Sequence, residues 1–281
     1  MLAKGSVGPC RVCNAITTKI FAVGSTKLVS CQSCGIVYVY LMPSMEDLQT
    51  CYEKEYKIER SENAPDLIAA EHRRLFRLPE QMKLIADIMA LKPAPASVLD
   101  IGCERAYFLD EIRRHGYNVK GVDSSITARD YSKRIGIDVV PTLNDANETF
   151  DIIVLWHTLE HFPNPKGIIQ IIQSKLNDEG LILVRAPAFD SAWRKLLGKC
   201  WMWYQPENHY FHYAEKSLQN FLELFGFKVM KIRKQRPNDH LTSISYRVAN
   251  IPFRLTSTAG PRSGGGWGGF TSGSLAWNSM L

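Results

Sequence analysis

The sequence predicts an α/β protein, a mostly parallel sheet with helices on both faces, preceded by a small metal-stapled β module. Three observations carry this. Residues 97–123 read strand, glycine turn, helix, strand, which is one βαβ unit with its ligand crevice at the carboxyl ends of the strands. Further along, short runs of Ile, Val and Leu alternate with amphipathic stretches, the pattern of parallel strands buried on both faces and linked by helices. Near the N-terminus stand two Cys-x-x-Cys pairs, Cys10/Cys13 and Cys31/Cys34.

Taken in order, the cysteine pairs come first. Two such knuckles place four thiolates around one ion, and the spacing is that of a zinc ribbon. The stretch between them reads as two short strands about a Gly24-Ser25 turn, and Gly35 supplies the positive φ a knuckle turn needs. With all four ligand positions taken by Cys10, Cys13, Cys31 and Cys34, the zinc is expected to be structural. It stands in for a core that so short a segment cannot build. The module is assigned to residues 1–42, leaving through the apolar Ile36–Leu41.

Residues 43–95 are read as a helical linker and lid. Ser44 caps a first helix, Tyr52 and Tyr56 share a helical face, and a second helix covers about 66–91 before Pro93-Ala94-Pro95. The main domain is assigned to 96–255. Its strands are Ser97–Ile101, one ending at Asp123, Asp138–Pro141, Phe150–Leu155, Leu181–Arg185 and Lys228–Arg233, and a strand over Ser243–Val248 completes a seven-stranded sheet. Helices are expected at Tyr107–Arg114, Ser125–Ile135, Gly167–Leu176 and Ala214–Phe225. The Gly- and Ser-rich residues 256–281 are expected to be disordered.

Bulk properties narrow the function. A net charge of +6 over 281 residues is mild and dispersed, so it permits an acidic ligand without demanding nucleic acid. No apolar run approaches the roughly 18 residues of a membrane span. The first ten residues lack the apolar segment of a signal peptide. Cys51, Cys103 and Cys200 remain as free thiols, and a cytoplasmic location is expected.

The glycine turn decides the ligand. A dinucleotide loop needs glycines at 102, 104 and 107, and the chain has Gly102, Glu104 and Tyr107. A carboxylate there repels a pyrophosphate. A cationic ligand meets no such obstacle. S-adenosylmethionine carries a sulfonium and an ammonium: Asp100 can face the ammonium, Gly102 allows close approach, and Asp123 can accept from the ribose hydroxyls. Read separately, either acid would serve as a turn cap.

The run Asp100-Ile101-Gly102-Cys103-Glu104-Arg105-Ala106 resembles the D-x-G-x-G-x-G loop of class I S-adenosylmethionine-dependent methyltransferases, with the first acid and first glycine matching. Ala106, in place of the third glycine, can remain helical. The resemblance implies a cofactor site at Asp100, Gly102, Cys103, Asp123, Ser124 and His157. Leu159-Glu160-His161 followed by Pro163 is similar to the segment that borders the methyl-transfer site in small-molecule members. The aromatic-rich 201–213 stretch is similar to their acceptor lid. A hydroxyl acceptor needs a base, and the candidates are His209, His161 and His212. The resemblance extends to bacterial methyltransferases of sugars and polysaccharides, so a small molecule or glycan is the expected acceptor. RNA methylation through the ribbon, and a non-catalytic interaction module, are the alternative readings.

Overall fold

The computed structural model describes residues 8–16, 18–42, 78–234 and 243–250. The helix from Ser44, the Tyr52/Tyr56 pair, Cys51, the first part of the 66–91 helix and the 256–281 tail lie outside the described residues.

The N-terminal strands β1 (Thr18–Val23) and β2 (Thr26–Cys31) pair antiparallel across the Gly24-Ser25 turn, and β3 (Val37–Val39) pairs with β2. Gly24 and Gly35 both have positive φ. The small sheet does not stop at β3. Its fourth strand is β9 (Phe211–His212), from far along the chain, with Val37 opposite His212 and Tyr38 opposite Phe211.

Helix α1 (Leu78–Leu91) leads into the main sheet. Strand β4 (Ser97–Ile101) lies at its centre, with Val98, Leu99 and Ile101 fully buried, as a strand covered on both faces requires. Helix α2 (Tyr107–Arg113) follows, then β5 (Asn118–Val122), parallel to β4. Phe108, Leu109 and Ile112 pack α2 onto the sheet. Their close seating depends on Gly121, where a Cβ would lie 2.5 Å from Cys103 Sγ. Helix α3 (Ile126–Arg134) starts from the Ser125 cap, which accepts from the Ala128 N–H. Strand β6 (Val139–Val140) is shorter than the predicted 138–141 strand because only these two residues pair with β5.

Strand β7 (Phe150–Trp156) runs beside β4. Asn164 caps α4 (Pro165–Lys175), with Pro165 at its first position, a favoured start. Strand β8 then begins at once, spanning Leu176–Pro187. The sequence predicts a break as far as Leu181. Instead Leu176 pairs with Phe150 and the register shifts before Ile152 meets Leu181, with Glu179 at positive φ: an irregular strand start takes the place of a loop. A short helix α5 (Ala192–Leu197) follows, then α6 (Glu215–Leu224), β10 (Phe227–Lys234) and β11 (Ser243–Asn250). The sheet order is β10-β11-β8-β7-β4-β5-β6. The five strands from β8 to β6 are parallel, and β11 is antiparallel to both neighbours.

Candidate active site and cysteine cluster

The order reverses at β4, since the chain moves from β4 outward to β5 and β6 and then returns to β7 on the other side. Ligands of such sheets bind at this switch point, outside the carboxyl ends of the strands. Asp100, Gly102, Asp123, His157 and Glu160 all stand at those ends.

Asp100 is 4% exposed and its Oδ1 has no hydrogen-bond partner. Burial raises its pKa to about 8, helped by the nearby charges of Asp123 and Glu104. Asp123 is buried too, and burial lifts it to about 6, with hydrogen bonds from the Ser125 and Glu104 N–H groups pulling the other way. Two acids held close in a dry crevice are unfavourable alone and suit a cation. Gly102 has φ +75, and a Cβ there would sit 2.7 Å from Thr158 Oγ1, so the loop closes only on a glycine.

The loop corrects one expectation. Ala106 is not helical: it caps α2 in the left-handed region (φ 57, ψ 27), and Glu104 is also left-handed at φ 49. The chain keeps a glycine-type backbone with two side chains on it. Glu104 is exposed, so its carboxylate points away from the packed interior, while its N–H donates to Asp123 Oδ2 at 2.8 Å. Cys103 turns its thiol into the core against Gly121, which leaves only its main chain for a ligand. Ser124 is exposed beside Asp123.

His157, left-handed at φ 55, follows β7, and its main-chain N–H donates to Arg185 O at 2.8 Å. Its Nδ1 lies 3.3 Å from Glu160 Oε1, and its ring stacks on Trp203 at 5.8 Å. Trp203 stacks in turn on His209 at 5.9 Å, the planes 4° apart. His161 meets His209 edge-on at 4.8 Å. Burial depresses His161 to about 4 and also lowers His209. The sequence-predicted His157, His161 and His209 are thus brought together, with Glu160 buried among them at 1% exposure. His212 is set apart. Its ring is enclosed by Phe189, Tyr204 and His209, and burial lowers it to about 3. Trp201 packs against Phe189 and Tyr204 as a clasp. Glu160 and His161 are expected either to structure the turn or to face the acceptor, and Glu160 lies buried among three imidazoles.

The 201–213 segment is fastened at both ends of Tyr210. Its N–H donates to Glu160 O at 2.8 Å, and its carbonyl accepts from the Val39 N–H at 3.0 Å. The N-terminal sheet and the histidine cluster are therefore one main-chain bond apart on either side.

In the N-terminal module, Cys10 and Cys34 sulfurs lie 3.8 Å apart and those of Cys13 and Cys31 3.6 Å. Thiolates about 2.3 Å from a tetrahedral zinc stand about 3.8 Å from each other. All four sulfurs fall within 4.8 Å, and main-chain N–H groups of Val12 and Cys34 point at the sulfurs of Cys10 and Cys31. This donor set fits zinc.

A switch-point crevice with a buried acid pair over a glycine turn defines a class I S-adenosylmethionine-dependent methyltransferase fold. Residues 69–232 match the family model described as "Methyltransferase domain", and the chain belongs to this family. Among curated proteins it is similar to the ubiquinone biosynthesis O-methyltransferase of Actinobacillus pleuropneumoniae, 30% identical over 100 residues, covering 30% of this chain and 43% of that protein. The enzyme of the same name from Xanthomonas axonopodis pv. citri is 33% identical over 113 residues, covering 35% and 47%. The chain thus spans less than half the length of these curated relatives. Among solved structures it resembles the 1,6-didemethyltoxoflavin-N1-methyltransferase of Burkholderia thailandensis, bound to 1,6-didemethyltoxoflavin and S-adenosylhomocysteine (TM-score 0.56, 14% identity, 83% of this chain and 99% of that one). It also resembles the magnesium protoporphyrin IX methyltransferase of Synechocystis PCC 6803 with bound S-adenosylhomocysteine (TM-score 0.54, 14% identity, 64% and 86%).

Proposed function

We propose that the chain transfers the methyl group of S-adenosylmethionine to a hydroxyl of a small-molecule or glycan acceptor. The acceptor lies between the end of β7 and the 201–213 segment, and the cysteine cluster holds a structural zinc. The observation that carries the reading is the buried acid pair, Asp100 and Asp123, at adjacent strand ends beside Gly102. Asp100 Oδ1 receives the cofactor's ammonium. Asp123 keeps lone pairs for the ribose hydroxyls beyond its two main-chain bonds. The main chain at Cys103, the exposed Ser124 and the His157 ring complete the lining. The relatives named O-methyltransferases support an oxygen acceptor.

The chemistry is a displacement in which the acceptor oxygen attacks the methyl carbon as the carbon–sulfur bond breaks. Neutral S-adenosylhomocysteine leaves, and the hydroxyl proton passes to the imidazole cluster around Glu160. Holding the two reactants in line supplies much of the rate, and the aromatic walls at Trp203 and His157 do this while excluding water. His161 and His209 are the favoured members of the cluster for handling the proton. His212, sealed among aromatics, is the least favoured of the three.

The test is transfer of a labelled methyl group to a panel of phenolic and quinol small molecules, nucleotide sugars, glycans and RNA. Label on a small-molecule or sugar hydroxyl is expected, reduced at least tenfold in His161→Ala and His209→Ala, in keeping with the roughly 10²–10⁴ range of acid–base assistance. Transfer to RNA alone would sink the acceptor assignment. Absence of any calorimetric heat with S-adenosylhomocysteine would sink the enzyme reading and leave the interaction module.

A further inference from the structure

The histidine cluster is built as a cation site. Glu160 Oε2 is buried without a hydrogen-bond partner, and so is His161 Nδ1. Buried polar atoms are ordinarily hydrogen-bonded, so both call for a partner. Burial lowers the His161 pKa, and the neighbouring Glu160 carboxylate and the Asn208 main chain pull it the other way. His209 Nδ1 lies 2.9 Å from Trp203 O. A carbonyl has no proton to give, so that nitrogen carries the hydrogen and Nε2 is left bare. An imidazole tied by one N–H to a main-chain carbonyl, with its other nitrogen free, is the tautomer that metal-bound histidines adopt. One donor atom from each of Glu160, His161 and His209 lies within 4.8 Å of the others. Bonds of about 2.0–2.2 Å to one ion bring such atoms to roughly 3–4 Å apart, a small contraction for side chains.

We propose that Glu160, His161 and His209 form a second metal site, for a divalent transition ion, distinct from the cysteine cluster. Two imidazoles and one carboxylate, with coordination positions left open, are the donor set of zinc and of non-haem iron(II). Softer copper(I) prefers the thiolates, and magnesium prefers an all-oxygen site. Two ligands come from the turn after β7 and the third from the 201–213 segment, so the ion joins the two walls of the crevice where Tyr210 already bonds to Glu160 O. The use of the site rests on the methyl-transfer reading: with an ion present, His161 and His209 serve as its ligands in place of the proton-handling role given above, the ion binds the acceptor oxygen and lowers its pKa, and His157, beside Glu160, takes the released proton. Its existence does not rest on that reading.

The test uses the full chain, stripped by chelator, reloaded with excess zinc, gel-filtered and assayed for bound metal by mass spectrometry. The wild-type chain is expected to keep two equivalents. His209→Ala, His161→Ala and Glu160→Gln should each keep one while still binding S-adenosylhomocysteine by calorimetry. A Cys10→Ser/Cys34→Ser variant should also keep one, with only nitrogen and oxygen neighbours in its X-ray absorption spectrum. A wild-type stoichiometry of one, a second equivalent surviving His209→Ala, or sulfur around the ion in the cysteine variant overturns the site, and Glu160 then pairs with His161 through a proton. Two equivalents that fall to one in the variants, with no acceptor methylated, uphold the site and remove the methyl-transfer reading instead.

Discussion

Glu104 and Ala106 show how much one residue can hide. The sequence displays two missing glycines, and only the backbone shows that the left-handed turns were retained. A side chain in that region costs about 1–2 kcal/mol, and a glycine returns about 0.4–1 kcal/mol through the freer unfolded chain. Glu104→Gly should therefore raise stability by about 0.5–1 kcal/mol. At Ala106, which is fully buried, the lost methyl contact of about 0.8 kcal/mol cancels the relief, so Ala106→Gly should be neutral. Urea denaturation of both variants checks the pair, and equal gains would contradict the buried position of Ala106. Asp100 and Asp123 were legible from the sequence as cofactor acids, but their shared burial was not. A carboxyl raised to about 8, as at Asp100, binds its proton more tightly folded than unfolded. It therefore favours the free fold below the ordinary carboxylate range and loses that contribution as pH rises toward 8. A bound sulfonium and ammonium favour the ionised acids. Cofactor affinity should thus rise between about pH 6 and pH 9, with proton uptake by buffer on binding. Calorimetry in buffers of different ionisation enthalpy measures it, and a pH-independent heat would contradict the acid-pair model.

Among elements, the strongly periodic ones were readable. FDIIVL and the helix ending at Gly226 declare themselves by composition, and α3 by its serine cap. What escaped was short or irregular. Strand β9 is two residues long and has no period to detect, and α5 is a single exposed turn and a half in a stretch for which the sequence predicts no element. The polar Asn177-Asp178-Glu179-Gly180 run looks like a loop, yet it lies within β8, bulging between Leu176 and Leu181, which pair with β7 on either side. The consequence lies in β9. Phe211 is buried and stacks on Tyr38 at 5.6 Å, one residue from the Tyr210 N–H that holds Glu160. Phe211→Ala should cost about 3–5 kcal/mol of stability. Phe211→Leu, nearer in volume, should keep most of the stability and cofactor binding while methyl transfer falls several-fold. Thermal melts alongside turnover separate the two. Turnover that follows stability alone would mean β9 is only packing.

At the scale of the whole molecule, the parallel sheet and its switch point followed directly from the alternation of apolar and amphipathic segments. The partnership between modules did not follow, because the sequence holds no signal for a strand lent across some 170 residues. The zinc proposed at the cysteines should therefore support the acceptor side more than the cofactor side. Zinc removal from Cys10, Cys13, Cys31 and Cys34, with the Cys10→Ser/Cys34→Ser variant as its genetic counterpart, is expected to abolish methyl transfer while S-adenosylhomocysteine binding persists. Loss of both together would place the ion's influence on the whole fold. The borrowed strand also bears on how this protein could be trimmed or grafted. A chain beginning at residue 43 would leave Phe211–His212 as an uncovered sheet edge of buried-type residues, open to strand addition by a neighbour. The first 42 residues thus supply the strand that covers this edge. A graft that dispenses with them needs another strand, a charge or a proline at that edge to block strand addition.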